Sequence, residues 1–475
     1  MKRYAITLCA AACAAVGAMA QDGMPFIHDP STIAECDGKY YTFGTGGGGL
    51  ISEDGWTWHS GAERPGRGAA PDVLKIGDRY LVAYSATGGG LGGGHKGQVL
   101  TMWNSTLDPS SPEFSFSAPI VVAESLDDED CDAIDAGLLL DPTTGRLWCS
   151  YGTYFGFIRL VELDPATGER MPGNEAINIA IDCEATDLVY RDGWYYLLGT
   201  HGTCCDGANS TYNIVVGRSR HVTGPYLDNM GRDMLLGGGK MVKSAEERRF
   251  GAGHFGRTVV DDGVEKMSFH FEADLDRGGY SVLAIRPLLW QDGWPVGGDL
   301  LEDGLYRIES ARRGYALELA VDFQRMEMPR RRFWEIDTAA IVPLPDQTLA
   351  DVAGAWAEGA IPARLGDYMA RPHQRWRIEA VPDAGGFLGG QYCKIVIDGT
   401  GRALAATDRK EVEVVPAFDG SDSQLWRIEQ AVDGTYRIIP KSDESLVLIS
   451  AGDSTPSLGA WDAWSDNCKW RLRGI

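Results

Sequence analysis

Several common classes are excluded by what this chain of 475 residues lacks. Beyond its first twenty residues it has no apolar run long enough to span a bilayer as a helix. Lys and Arg number 44 against 67 Asp and Glu, a formal net charge of −23. The cations are not massed into the patch that phosphate neutralisation requires, which disfavours nucleic acid as a partner. The same balance disfavours an anionic membrane surface or a strongly acidic polysaccharide, so neutral ligands fit best. Of the ten cysteines, Cys9 and Cys13 fall in the first twenty residues, leaving too few for a disulfide scaffold. There is no Cys-x-x-Cys and no His-Glu-x-x-His, so zinc has little support. Helical periodicity is almost absent.

The start of the chain reads as a targeting segment. Lys2 and Arg3 precede an apolar stretch from Tyr4 to Gly17, and Ala18-Met19-Ala20 is a small-x-small cleavage site. A secreted or periplasmic protein beginning near Gln21 is expected, without membrane insertion. About 450 residues then remain, which predicts two domains.

What the chain has in abundance is short Tyr-, Trp-, Val- and Thr-rich runs bounded by turn signals. Asp37-Gly38, Asp192-Gly193 and Asp262-Gly263 are hairpin turns by composition, since such turns favour positive φ. The runs form a weak five-fold repeat, with copies at 30–43, 71–84, 136–148, 185–198 and 256–271. Strand-built repeats of about fifty residues predict propeller blades. An acid precedes three copies (Asp29, Asp135 and Glu184), and His254 stands before the fifth. Asp29 to Tyr40 and Glu184 to Tyr195 are equal intervals, which predicts matched positions converging on the propeller axis.

A second repeat opens at Tyr306, Cys393 and Tyr436 and closes on Trp376, Trp426 and Trp470. Three such copies predict a β-trefoil with the tryptophans in its core. The fold class expected is therefore all-β. It comprises a leader over 1–20, a five-bladed propeller over 21–298 and a trefoil-like domain over 299–475. The first trefoil copy carries an insertion, Val321 to Arg364, whose Arg330-Arg331-Arg332 run reads as a solvated loop.

Three carboxylates around one axis suit glycoside hydrolysis. One must be protonated to assist the leaving oxygen, one ionised to activate water or attack, and a third can hold the acid protonated by repulsion. Neutral saccharides also need flat apolar platforms. Trp56, Trp58, Trp103 and Phe155 qualify by type, although propeller cores use aromatics too. Tyr154 and Phe155, which follow a strand in the Asp135 repeat, rank first. Adjacent Cys204-Cys205 permits a vicinal disulfide; the alternative is two small buried residues.

The combination of short stretches resembles glycoside hydrolase family 43, and within it the arabinan-active members. They are His28-Asp29-Pro30-Ser31, Asp132-Ala133-Ile134-Asp135, Tyr151 to Gly156, Cys183-Glu184-Ala185, Cys204 to Tyr212, Gly217-Arg218-Ser219, Thr223 to Tyr226, Gly251 to His254 and Asp292 to Pro295. The resemblance covers roughly residues 25 to 300. It implies a five-bladed propeller and an inverting hydrolase, with Asp29 as general base, Glu184 as general acid and Asp135 tuning and orienting the acid. Inversion then asks for about 6.5–9.5 Å between the two acting carboxylates. It further implies a calcium ion held mostly by water near His254, and no organic cofactor. A neutral arabinose-containing polysaccharide or oligosaccharide is the expected partner, with Tyr154, Phe155, His201 and Asn209 on the substrate side. Endo-cleavage of α-1,5-arabinan is the first reading, exo-acting arabinofuranosidase the second, and a non-catalytic sugar-binding protein the rival from another class. Thr186-Asp187 follows Ala185 where proline is common in the family, which leaves the acid in place and implies a reshaped sub-site beside it. The glycine-rich segment from Gly88 to Gly97 implies an altered rim, which bears on endo action more than on the chemistry. The second repeat resembles ricin-type lectin domains. Asp419 near Phe418 and Asp462 near Trp461 are its candidate sugar contacts.

Overall fold

The computed structural model describes residues 21–87, 97–126, 129–321, 353–354 and 356–475. The targeting segment, the glycine-rich stretch 88–96 and the Arg330–Arg332 run lie outside the described residues.

Five sheets of four antiparallel strands follow one another along the chain, the first extended by a parallel two-residue strand, Asp22–Gly23. Blade 1 comprises strands 34–36, 39–43, 48–52 and 57–63, and blade 2 strands 69–76, 79–87, 97–104 and 120–125. Blade 3 runs through 137–140, 147–151, 157–163 and 177–181, blade 4 through 184–191, 194–201, 213–219 and 240–243, and blade 5 through 249–261, 264–274, 280–291 and 294–297. The tight turns are chemically driven. Asp37 and Gly38 have φ of 52° and 75°, and Asp192 and Gly193 of 50° and 78°. At Asp262-Gly263 the glycine alone is left-handed, at 71°.

Each blade buries both faces, and strand alternation divides them between its neighbours. In blade 2, Tyr80, Val82 and Tyr84 pack with Tyr41 and Phe43 of blade 1. The intervening Leu81 and Ala83 pack with Leu138, Leu147 and Cys149 of blade 3. Equivalent clusters join blades 3 and 4, blades 4 and 5, and blades 5 and 1. At about 1.5–3 kcal/mol for each large apolar side chain, these seams are the main stabilisation of the ring. Trp56, Trp58 and Trp103 belong to this buried set, so they are core rather than sugar platforms.

The ring is closed by the segment that precedes blade 1. Asp22 and Gly23 pair in parallel with Thr57 and Trp58 on the outer strand of blade 1. Pro25 and Ile27 then bond the third strand of blade 5, through Leu283 N to Pro25 O (2.8 Å) and Ile27 N to Ser281 O (3.3 Å). This strap leads directly to Asp29.

Residues 304–474 form the second domain, three units of four strands. Trp376, Trp426 and Trp470 are fully buried in one core. Each indole N–H donates to a leucine carbonyl, of Leu317 (2.7 Å), Leu404 (2.9 Å) and Leu448 (2.8 Å) respectively. A buried indole therefore has its polar atom satisfied in all three units.

The trefoil docks on the turns of blades 1 and 5 farthest from the starts of the innermost strands. Val432 N donates to Gly263 O (2.9 Å), Trp290 N to Val432 O (2.8 Å) and Leu388 N to Asp54 O (3.0 Å). Trp461 donates to Asp262 O at 2.8 Å. The proposed sugar contact beside Asp462 is thus spent on the domain interface. The carboxylate of Asp462 accepts from Trp464 N, and that of Asp419 from Ser421 N. Beneath lies fully buried Glu429, 2.7 Å from Arg437, 3.5 Å from Lys266 of blade 5 and 3.6 Å from Arg427. These cations hold its pKa down to about 2 against the opposing effect of burial.

Candidate active site

One backbone device recurs in every blade at or near the start of its innermost strand, in blade 5 at a bulge within it. Asp29, Ala70, Asp135, Ala185 and His254 all have φ between 45° and 65°. Each lies two residues before Ser31, Asp72, Gly137, Asp187 or Gly256, where regular pairing with the second strand begins or, in blades 2, 4 and 5, resumes after a bulge. A non-glycine residue in this region costs on the order of 1 kcal/mol or more and must be held from outside.

The holding groups come from the second strand of the preceding blade. Thr45 Oγ1 accepts from Ala70 N (3.0 Å), Ser85 Oγ from Asp135 N (3.0 Å), Thr200 Oγ1 from His254 N (2.9 Å), and His270 Nδ1 from Asp29 N (2.8 Å). In blade 3 the corresponding position is Gly152, which has no side chain to offer. There Ala185 N donates to the carboxylate of Asp135 at 3.2 Å instead. The residue beside Glu184 is therefore fixed by Asp135.

This geometry corrects one step of the sequence argument. Asp29, Asp135 and His254 are equivalent, but Glu184 sits one residue earlier, and Ala185 holds the matched place. The equal interval from acid to aromatic arose because Ser31 pairs with Phe43 whereas Asp187 pairs with Leu198, so the first hairpin is one residue longer.

Asp29 sits among cationic and donor groups. Its Oδ2 accepts from Thr45 Oγ1 (2.5 Å) and pairs with His28 Nδ1 (2.9 Å), while Oδ1 lies 3.5 Å from His254 Nδ1. Burial works against its charge, yet hydrogen bonds and charge from His254 and His28 hold it well below the usual carboxylate range. His28 also faces Glu272 at 3.1 Å. Burial disfavours its charge, but Asp29 and Glu272 together push its pKa up to about 10.

Glu184 is biased the other way. Burial raises its pKa, Asp29 adds to the rise, and hydrogen bonds from Tyr212 and Thr153 and the charge of His254 partly offset it. Thr153 Oγ1 donates to Oε2 at 2.7 Å, and the Tyr212 hydroxyl donates to Oε1. Buried Asp135 is pushed well above the carboxylate range by burial, then by Glu184 and Asp29. Glu184 and Asp135 thus favour holding a proton that Asp29 does not.

Tyr154 feels Glu184, whose charge together with burial raises its phenol pKa. Phe155 packs on it at 4.1 Å between centroids and is 50% exposed. His201 follows Thr200, the strand partner of Glu184, and pairs with Asp182 (3.4 Å), while Asn209 is exposed in the turn 207–209. Cys204 and Cys205 are joined in a disulfide, Cys205 exposed. Their sulfurs lie within 4.8 Å of ligand atoms of His28 and Glu272.

Sequence reasoning missed Thr45, Thr153, Tyr212, His270 and Glu272. The last two left a signal, because His270, Glu272 and Asp274 alternate through the apolar run 267–273, placing polar groups on one face of a buried strand.

The sequence model of the family described as Glycosyl hydrolases family 43 matches residues 26–295. That of the Ricin-type beta-trefoil lectin domain-like family matches residues 372–461. The chain is 30% identical over 303 residues to the extracellular exo-α-(1→5)-L-arabinofuranosidase of Cellvibrio japonicus, covering 57% of this chain and 85% of that protein. It is also 30% identical over 299 residues to the extracellular endo-α-(1→5)-L-arabinanase 1 of Bacillus subtilis, covering 57% and 87%. Among solved structures, an exo-1,5-α-L-arabinanase from a bovine ruminal metagenomic library aligns with a TM-score of 0.53 and 32% identity, over 58% of this chain and 97% of that one.

Proposed function

The chain belongs to glycosyl hydrolase family 43 and is a glycosidase, and from that premise we propose that it is an inverting, endo-acting α-1,5-L-arabinanase. The observation that carries the reading is the opposed bias of two carboxylates on one axis. Asp29 is biased toward its ionised form by His254 and His28 and bonded by Thr45, while Glu184 is biased toward its protonated form by burial and by the charge of Asp29. Asp29 takes a proton from water as that water attacks the anomeric carbon, and Glu184 gives its proton to the departing oxygen. Asp135 clamps Ala185 N and so fixes the acid's backbone. Tyr154, which feels the acid, and exposed Phe155 packed against it offer ring faces for a neutral furanosyl unit.

Both curated relatives act on α-1,5-linked arabinose and are extracellular by name, which supports the substrate class and export of this chain. No helix among the described residues is long and apolar enough to cross a membrane. One relative and one solved structure are exo-acting, so exo-release of arabinose is the second reading. Chromatography of products from linear arabinan decides between them: a ladder of oligosaccharides is expected, and arabinose alone overturns the endo assignment. Retention of the anomeric configuration, read by NMR of the first product, overturns the role of Asp29.

His254 is the residue that would hold a calcium ion, which would supply positive charge beside Asp29. It offers one imidazole nitrogen. The groups of three or more His, Cys, Asp or Glu gathered closely enough for a metal, among the described residues, contain His28 and not His254. The ion would therefore draw its remaining ligands from water, and its hold would be weak. Dialysis against a chelator is expected to lower activity and added Ca²⁺ to restore it; unchanged turnover overturns the ion.

A further inference from the structure

Two aromatic side chains outside every blade seam stand at the rim on the carboxylate side. Phe26 belongs to the strap and is 40% exposed; Tyr280, 67% exposed, opens the third strand of blade 5. Their rings meet edge to face, 5.6 Å between centroids and 73° between planes. Exposed Met24 lies on the same strap. Contiguous exposed apolar surface of this kind marks an interaction site more often than isolated residues do.

The place of the pair in the fold says what it meets. Phe26 is three residues before Asp29, at most about 11 Å of extended chain. From the other side, Glu272 touches His28, and Asp274 two residues further pairs with Tyr280, a rise of about 7 Å. Tyr280 follows the turn 275–279, at the end of blade 5 that carries His270 and Glu272. The pair thus continues the line from Asp29 through His28 and Glu272 toward the rim. Neither ring carries charge, which suits a neutral chain with apolar sugar faces.

We propose that Phe26 and Tyr280 form a remote subsite that stacks arabinofuranosyl residues of the polysaccharide a few units from the bond being cleaved. The subsite rests on the arabinanase reading and adds the requirement that chain length matters. Rings held this far from the reacting bond serve long substrates and are out of reach of short ones.

The experiment compares linear arabinan with the shortest α-1,5-arabino-oligosaccharide that the enzyme cleaves. Tyr280→Ala, alone and with Phe26→Ala, should raise the ratio of the two KM values (polymer over short substrate) about five- to tenfold, and Tyr280→Trp should restore it. Electrophoresis through arabinan-containing gel, in a Glu184→Gln background, reads binding without turnover and should show reduced retardation for Tyr280→Ala. An unchanged KM ratio overturns the subsite. So does a Tyr280→Ala variant whose only change is in oligomeric state, which would make the pair a contact between copies. If the native enzyme neither cleaves arabinan nor is retarded by it, the substrate reading itself fails, an outcome distinct from the other two.

Discussion

The propeller and the trefoil are both rings of repeated units, and they use repetition in opposite ways. In the trefoil the same side chain returns three times: Trp376, Trp426 and Trp470, each fully buried and each donating to a leucine carbonyl. In the propeller the same backbone conformation returns five times, while the side chain it carries changes from Asp29 to Ala70, Asp135, Ala185 and His254. Repeating a side chain builds a core. Repeating a strained backbone position, each held by its neighbour, builds five addresses around one axis whose occupants are free to differ. The proposed chemistry uses two of these addresses, Asp29 and Asp135, and the residue just before a third, Glu184.

The largest test of that contrast is at the acid. Glu184→Gln should lower kcat by about 10²–10⁴-fold, the usual worth of a positioned acid, while the unfolding transition moves little. Unchanged hydrolysis would sink the contrast and favour a non-catalytic sugar-binding protein. The trefoil should answer in the other currency. Trp376→Phe, Trp426→Phe and Trp470→Phe each lose a buried hydrogen bond and some volume, about 1–3 kcal/mol in denaturant unfolding. Their costs should be similar, and specific activity of the folded fraction should be preserved. Widely unequal costs would mean that the three units are not energetic equivalents.

A subtler test separates clamping from charge at Asp135. Glu184 must be protonated to act, so activity falls as pH rises through its raised pKa. Asp29, His254, Tyr212 and Thr153 still face it in Asp135→Asn, and the asparagine carbonyl can still accept from Ala185 N. What disappears is a second buried carboxyl, which opposes ionisation of Glu184 once it has itself lost its proton. The alkaline limb of the kcat–pH profile should therefore move to lower pH, and an unmoved limb would leave Asp135 with a positioning role alone.

The architecture was legible because its causes are local. Asp-Gly turns, alternating aromatic runs and closing tryptophans are set by backbone geometry and burial within a few residues, and both repeats could be counted from them. The acids were legible by type, but their equivalence was not, since a single extra residue in the first hairpin shifts every count made across it. The partners of Asp29 were hidden for another reason. His270, which accepts from Asp29 N, and Glu272, which faces the neighbouring His28, lie more than 240 residues away and arrive only when the ring closes. Trp461 reads as a sugar contact until the propeller turn at Asp262 occupies it.

The strap that closes the ring has a consequence for the life of the chain. Pro25 and Ile27, made before blade 1, must wait for blade 5, the last of the five blades, before their bonds to Leu283 and Ser281 can form. The same closure sets Asp29 against His270 and brings Glu272 to His28. Long-range closure of this kind is slow. With Asp29 in the proposed role of base, a half-built propeller has an acid without a prepared base, and turnover becomes a certificate of a completed ring.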